Sequence, residues 1–134
     1  MTQLLRVLLA AGLAANGLAM LLFPKAWYDS VPGVDSTGPL NFHFVRDIGC
    51  AYLVSAFGLA WRAWRPRQGG PAALAGALFL LLHAGVHIAE TLLGICGWQA
   101  LWRDVPGVIV PALLALALAL PLQPAALHNS PATR

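Results

Sequence analysis

Charge is scarce in this sequence. Only 10% of its 134 residues are Asp, Glu, Lys or Arg, where a soluble globular domain carries about 25%. So little charge cannot give a domain of this size the mostly polar outside that water requires. Cysteine is nearly absent as well: Cys50 and Cys96 are too few for a disulfide framework. Their expected depths differ, which favours free thiols over a bridge. Cys-x-x-Cys pairs, phosphate-cradling glycine loops and serine nucleophiles in a recognisable turn are all missing, and with them the usual signatures of redox pairs, nucleotide binding and hydrolysis. The formal charge of +3 rests on few basic residues, placed at helix ends and in short loops. They read as topology signals rather than a nucleic-acid surface.

Apolar residues fill the space that charge leaves. They make up 59% of the chain, and the mean hydropathy is +0.72. The length allows a single domain, residues 1–134. A hydrocarbon core about 30 Å thick needs about 20 mainly apolar residues per spanning helix. Four runs meet that requirement, at residues 4–23, 41–61, 71–94 and 105–122. The expected fold is therefore all-α, an integral membrane four-helix bundle with both termini cytoplasmic. The first run reads as a span rather than a cleaved signal peptide, because it is longer than a usual apolar h-region. Between the first two spans, Pro24, Pro32, Gly33, Gly38 and Pro39 predict an irregular cap. Residues 123–134 read as a polar, frayed tail.

Arg62, Arg65 and Arg67 stand beside Trp61 and Trp64 in the short second loop, which the positive-inside rule makes cytoplasmic. Arg6 and Arg134 fall on the same side. Basic and aromatic residues together at that place suit anionic headgroups better than nucleic acid. Trp27, Tyr28, Trp98 and Trp102 would then form an outer aromatic belt.

Polar residues inside the apolar runs carry the functional expectation. His83, His87 and Glu90 follow i, i+4, i+7 spacing on the third helix, and His43, Asp47 and Cys50 repeat it on the second, flanked by Arg46. Such spacing puts each set on one helix face. Both sets lie in the outer half of the bilayer at overlapping depths. Holding one Arg or Asp at a helix centre in lipid costs about 2.5–3.5 kcal/mol, so the two sets are expected to face each other across a pocket, with Asn16 at its floor.

Paired helical imidazoles suit a metal. The expected ligands are His83 and His87, with Glu90, Asp47 and His43 as further donors, and with Arg46, Cys50 and Asn16 as supporting or ligand-binding groups. A mixed nitrogen and oxygen shell points to zinc, copper or iron rather than magnesium. A haem held between His43 and His83 or His87 is a variant of the same idea. Either would fit a metal-dependent membrane oxidoreductase or an accessory subunit of one. The alternatives are a buried ion network that only ties helices together, and proton-coupled transport of a small solute. The lipid bilayer is the expected partner. The small-residue face Gly12, Asn16, Ala19 offers packing for a second copy or a larger membrane complex, or equally for the second helix.

The four-helix layout, the arginine in the first turns and the glycine- and alanine-rich helices resemble the small bacterial DoxX-like membrane proteins. The stretches Asn41–Gly49 and His83–Glu90 also look like motifs of uncharacterised small bacterial membrane proteins. This resemblance implies a place in the bacterial inner membrane and an association with redox systems, and it carries no catalytic residue across.

Overall fold

A computed structural model describes residues 1–121 of the chain. Among these residues every regular element is helical. Helix α1 covers Thr2–Leu22, α2 Pro24–Ser30, α3 Phe42–Trp64, α4 Gly70–Leu92, α5 Trp98–Asp104 and α6 Val110–Ala119. A short 3-10 turn lies at Val34–Thr37, and a π-helical turn over Val105–Ile109 joins α5 to α6. Helices α1, α3 and α4, and the continuous run Trp98–Ala119, are each long and apolar enough to cross a membrane. The tail expected over 123–134 lies outside the described residues.

Burial along the helices follows the spacing that helix-on-helix contact demands. On α1 the buried positions are Arg6, Ala10, Leu13, Gly17 and Met20, and on α3 they include Val45, Gly49, Tyr52, Ala56, Leu59 and Arg62. Both series step by four and three residues, the seam of a bundle packed side chain into groove. Most of what faces inward is small, with Ala73, Ala77, Ala112 and Ala115 almost wholly enclosed. Leu4, Leu8, Val54, Phe57, Leu78, Leu82 and Leu113 point outward and stay exposed. Lipid tails are as apolar as leucine, so van der Waals fit between small faces holds such helices together rather than the withdrawal of leucine from water.

Glycines set the closest approaches. A Cβ on Gly17 would stand 2.7 Å from the Gly49 carbonyl oxygen, and one on Gly49 would stand 2.9 Å from that of Gly17. Farther along α3, a Cβ on Gly76 would meet Ser55 Cα at 2.7 Å. Helix α1 thus lies along α3, α3 along α4, and α4 along α6, while α1 and α6 touch mainly at one end. At that end Gln3 Nε2 donates to the Ala63 carbonyl at 2.9 Å, and Arg6 Nε donates to that of Leu118 at 2.9 Å. This is the arginine end.

The opposite, capped end is more ordered than the expected irregular loop. Pro24 opens α2 at its first helical position, where a missing N–H costs nothing. Trp27 Nε1 donates to Asn16 Oδ1 at 2.9 Å and pins α2 over the end of α1. Helix α4 stops at a glycine: Gly94 has φ 74°, Ile95 N–H bonds the Glu90 carbonyl at 2.9 Å and Gly94 N–H that of Thr91 at 3.1 Å. That pair of bonds is the Schellman ending, which a residue with a Cβ adopts only under strain.

Candidate functional site

A cavity of about 790 Å³ opens inside the capped end. Asn16 and Met20 of α1, Trp27 and Tyr28 of α2, and residues 31–34 and 36–39 of the cap form one side of it. Phe44, Val45, Ile48 and Tyr52 of α3 form another, and Phe79, His83, His87, Glu90 and Thr91 of α4 face them. Cys96, Arg103, Asp104 and Val108 complete the lining.

The chemistry of this cavity centres on His87. Its Nδ1 lies 2.7 Å from Asp104 Oδ2, and both side chains are mostly enclosed, at 24% and 17% exposure. A carboxylate can only accept, so His87 Nδ1–H donates, which leaves Nε2 as the free ring nitrogen. Asp104 also stands 3.7 Å from Arg103 Nε, so one carboxylate serves an imidazole and a guanidinium. Arg103 in turn packs against Gly33, where any Cβ would overlap its guanidinium. The cap is thereby closed onto the start of the fourth span.

Beside His87 runs an aromatic wall. The His83 and His87 rings meet edge to face at a centroid distance of 4.9 Å. Phe79 stacks on His83 at 6.0 Å with the planes 13° apart, and Tyr52 sits edge-on to both at 5.7 and 6.0 Å. Edge-to-face and offset geometries at these distances are the favoured ones for rings. The cavity therefore pairs a flat aromatic side with a polar corner of imidazole and carboxylate.

Of the two stripes expected to meet, only that of α4 reaches the cavity. His43, Arg46, Asp47 and Cys50 are all exposed on another face of α3. His43 Nε2 lies 3.3 Å from Asp47 Oδ2, with the two side chains 90% and 59% exposed, and Arg46 Nε reaches the Leu21 carbonyl at 3.3 Å. The rotation has a packing cause. Gly49 must face Gly17, and Ser55 must face Gly76, which turns Val45, Ile48 and Tyr52 toward the cavity and the polar stripe away from it. His43 and Asp47 lie in the first two turns of α3, near the membrane interface, where water relieves most of the cost of exposing them.

No haem pair between His43 and the α4 histidines is assembled, and no group of three or more His, Cys, Asp or Glu side chains capable of holding an ion occurs among the described residues. Asn16 does line the cavity, but its partners are Trp27 and Met20 Sδ, the latter at 3.7 Å. Glu90 lines it too, with Cys96 Sγ 3.9 Å from Oε2. Both cysteines are free.

Asp104 and Tyr52 are the residues that spacing on α4 could not supply, whereas Phe79, one turn before His83 on the same face, was within its reach. Asp104 had a usable signal: it immediately precedes the fourth apolar run, at the level where the third run ends, so it lies within reach of the last turns of α4.

These features define an all-helical bundle with four membrane-length helices and a polar-cornered cavity at one end. Compared with known proteins, the chain matches no family model, no curated protein and no solved structure.

Proposed function

We propose that this chain is a membrane-embedded binding protein for a small amphipathic ligand that bears a planar ring and a hydrogen-bonding head. The observation that carries this reading is the His87–Asp104 pair at 2.7 Å inside a cavity of 790 Å³, within the range of about 300–1,000 Å³ typical of small-molecule sites. The ring would lie along Tyr52 and Phe79, and the head would meet His83 and His87. With Asp104 fixing Nδ1–H, His87 offers a single free nitrogen that can accept a proton from the ligand or return one. Ring compounds of the quinol type, whose O–H can donate to Nε2, meet these demands, in line with the redox association implied by the DoxX-like resemblance. A role in a redox assembly of the bacterial inner membrane follows as part of the same proposal.

The test is anaerobic titration of the detergent-purified chain with 1,4-dihydroxynaphthalene. Saturable binding that His87→Ala weakens at least about tenfold, and that His43→Ala leaves unchanged, supports the reading. Equal binding by all three proteins overturns it.

A transition-metal reading is favoured by one feature, since a ligating histidine commonly donates its other nitrogen to a carboxylate as His87 does to Asp104. In that case His83 and His87 would hold zinc, copper or iron, with further ligands supplied from outside the described set. Elemental mass spectrometry of the same preparation separates the two readings. One equivalent of metal, lost in the His83→Ala, His87→Ala double variant, would replace the small-ligand proposal.

A further inference from the structure

The arginine end holds charge that nothing among the described residues balances. Arg6 is 4% exposed and Arg62 8%, and both continue the buried seams of their helices rather than the lipid-facing sides. Their hydrogen-bond partners are neutral. Arg6 donates to the Leu118 carbonyl and to Gln3 Oε1 at 3.0 Å, and Arg62 to the carbonyls of Pro66 and Leu120. Among the described residues, Arg62 Nε is buried without a partner. Leu118 and Leu120 close α6, so the two guanidiniums converge on one helix terminus, whose carbonyls carry partial negative charge. That terminus is worth about half an elementary charge, against two full positive ones. Every acid of the chain, Asp29, Asp35, Asp47, Glu90 and Asp104, belongs to the capped half, and residues 122–134 include no Asp or Glu.

An apolar groove begins at the same place. It runs between α1 and α3, has a volume of about 570 Å³, and is floored largely by alanine. Its polar end is Gln3, the residue that accepts from Arg6 and donates to Ala63. From Gln3 the groove extends to Ala14, about 16 Å along the helix at about 1.5 Å per residue. That is close to half of a hydrocarbon core about 30 Å thick, the depth of one leaflet.

We propose that the arginine end binds an anionic phospholipid, with one acyl chain in the α1–α3 groove and its phosphate beside Arg6 and Arg62. The phosphate supplies the missing negative charge and acceptors for guanidinium N–H groups. The groove supplies a path for the chain that begins at Gln3, one hydrogen bond from Arg6, and ends at mid-membrane. This site is separate from the cavity at the capped end and does not depend on what that cavity binds.

Native mass spectrometry of the full chain in detergent, with added phosphatidylglycerol, phosphatidylcholine or inorganic phosphate, tests the proposal. Phosphatidylglycerol is expected to bind at one copy per chain and about tenfold or more tighter than phosphatidylcholine, with no retention of inorganic phosphate. Arg62→Gln should abolish the preference, whereas Arg67→Gln, which changes only an exposed loop charge, should keep it. Ala11→Phe, whose side chain falls in the groove, should weaken both lipids and serves as the independent arm if Arg62→Gln fails to fold. Equal binding of the two lipids, a preference retained in Arg62→Gln, full binding in Ala11→Phe, or retention of phosphate alone would overturn the proposal.

Discussion

Gly76 and Ser55 show how little room single residues have in this bundle. Ser55 Oγ donates both to the Ala51 carbonyl at 3.0 Å and across to that of Gly76 at 3.1 Å, a bond possible only because Gly76 has no Cβ to hold the helices apart. Interhelical hydrogen bonds in membranes average about 0.6 kcal/mol, so Ser55→Ala should lower stability only slightly. Gly76→Leu forces backbone apart and should cost about 1–3 kcal/mol. Thermal unfolding of the two variants in the same detergent checks the order, and a Ser55→Ala loss as large as that of Gly76→Leu would contradict it. His87 is constrained in a different way: its ring is fixed by Asp104 from one side and by the His83 edge from the other, so its orientation comes from partners on two separate elements.

At the scale of elements, the cap and the break in the fourth span do the positioning. Helix α2 is held by one side-chain bond, Trp27 Nε1 to Asn16 Oδ1, together with Tyr28 OH to the Gly38 carbonyl at 2.5 Å. Trp27→Phe keeps the ring and removes the first bond. Its expected effect is faster amide hydrogen exchange across Pro24–Ser30 with exchange in α3 unchanged; unaltered exchange in α2 would show that packing alone holds it. The four long helices were legible in the sequence because apolar runs of about 20 residues have almost no other meaning, and the bounds of the first three shift by at most three residues. Helix α2 was hidden because Pro24, Pro32 and Gly33 read as turn residues, although Pro24 in fact starts a helix. The fourth span begins at Trp98 rather than 105, because Pro106 is absorbed in a π-helical turn instead of marking a start. Periodicity found the α4 half of the cavity, His83, His87 and Glu90. It misassigned the α3 half, since a stripe at i, i+4, i+7 tells which residues share a face and not which neighbour that face meets. The Gly17–Gly49 and Gly76–Ser55 contacts made that choice.

The whole molecule is polarised. All five acids lie in the half that carries the cap, and Arg6, Arg62, Arg65 and Arg67 lie at the other end. The positive-inside rule then predicts that the arginine end faces the cytoplasm. In a Cys50→Ser, Cys96→Ser background, a membrane-impermeant thiol reagent applied to intact cells should label Ser36→Cys in the cap and not Gln68→Cys in the loop between α3 and α4. The reverse pattern would invert the topology and move the cavity to the cytoplasmic side. The cavity belongs to this scale as well, for its lining comes from every helix but α6 and from the cap, so no segment forms it alone.

A double-variant cycle on the His87–Asp104 pair tests the proposed site most directly. Affinity for 1,4-dihydroxynaphthalene would be measured by anaerobic titration for the wild type, His87→Ala, Asp104→Asn and the combination. If Asp104 acts by holding His87, each single change should weaken binding at least about tenfold, and the double should be hardly worse than His87→Ala alone. Binding that survives both single changes, or losses that simply add, would contradict a site organised around this pair.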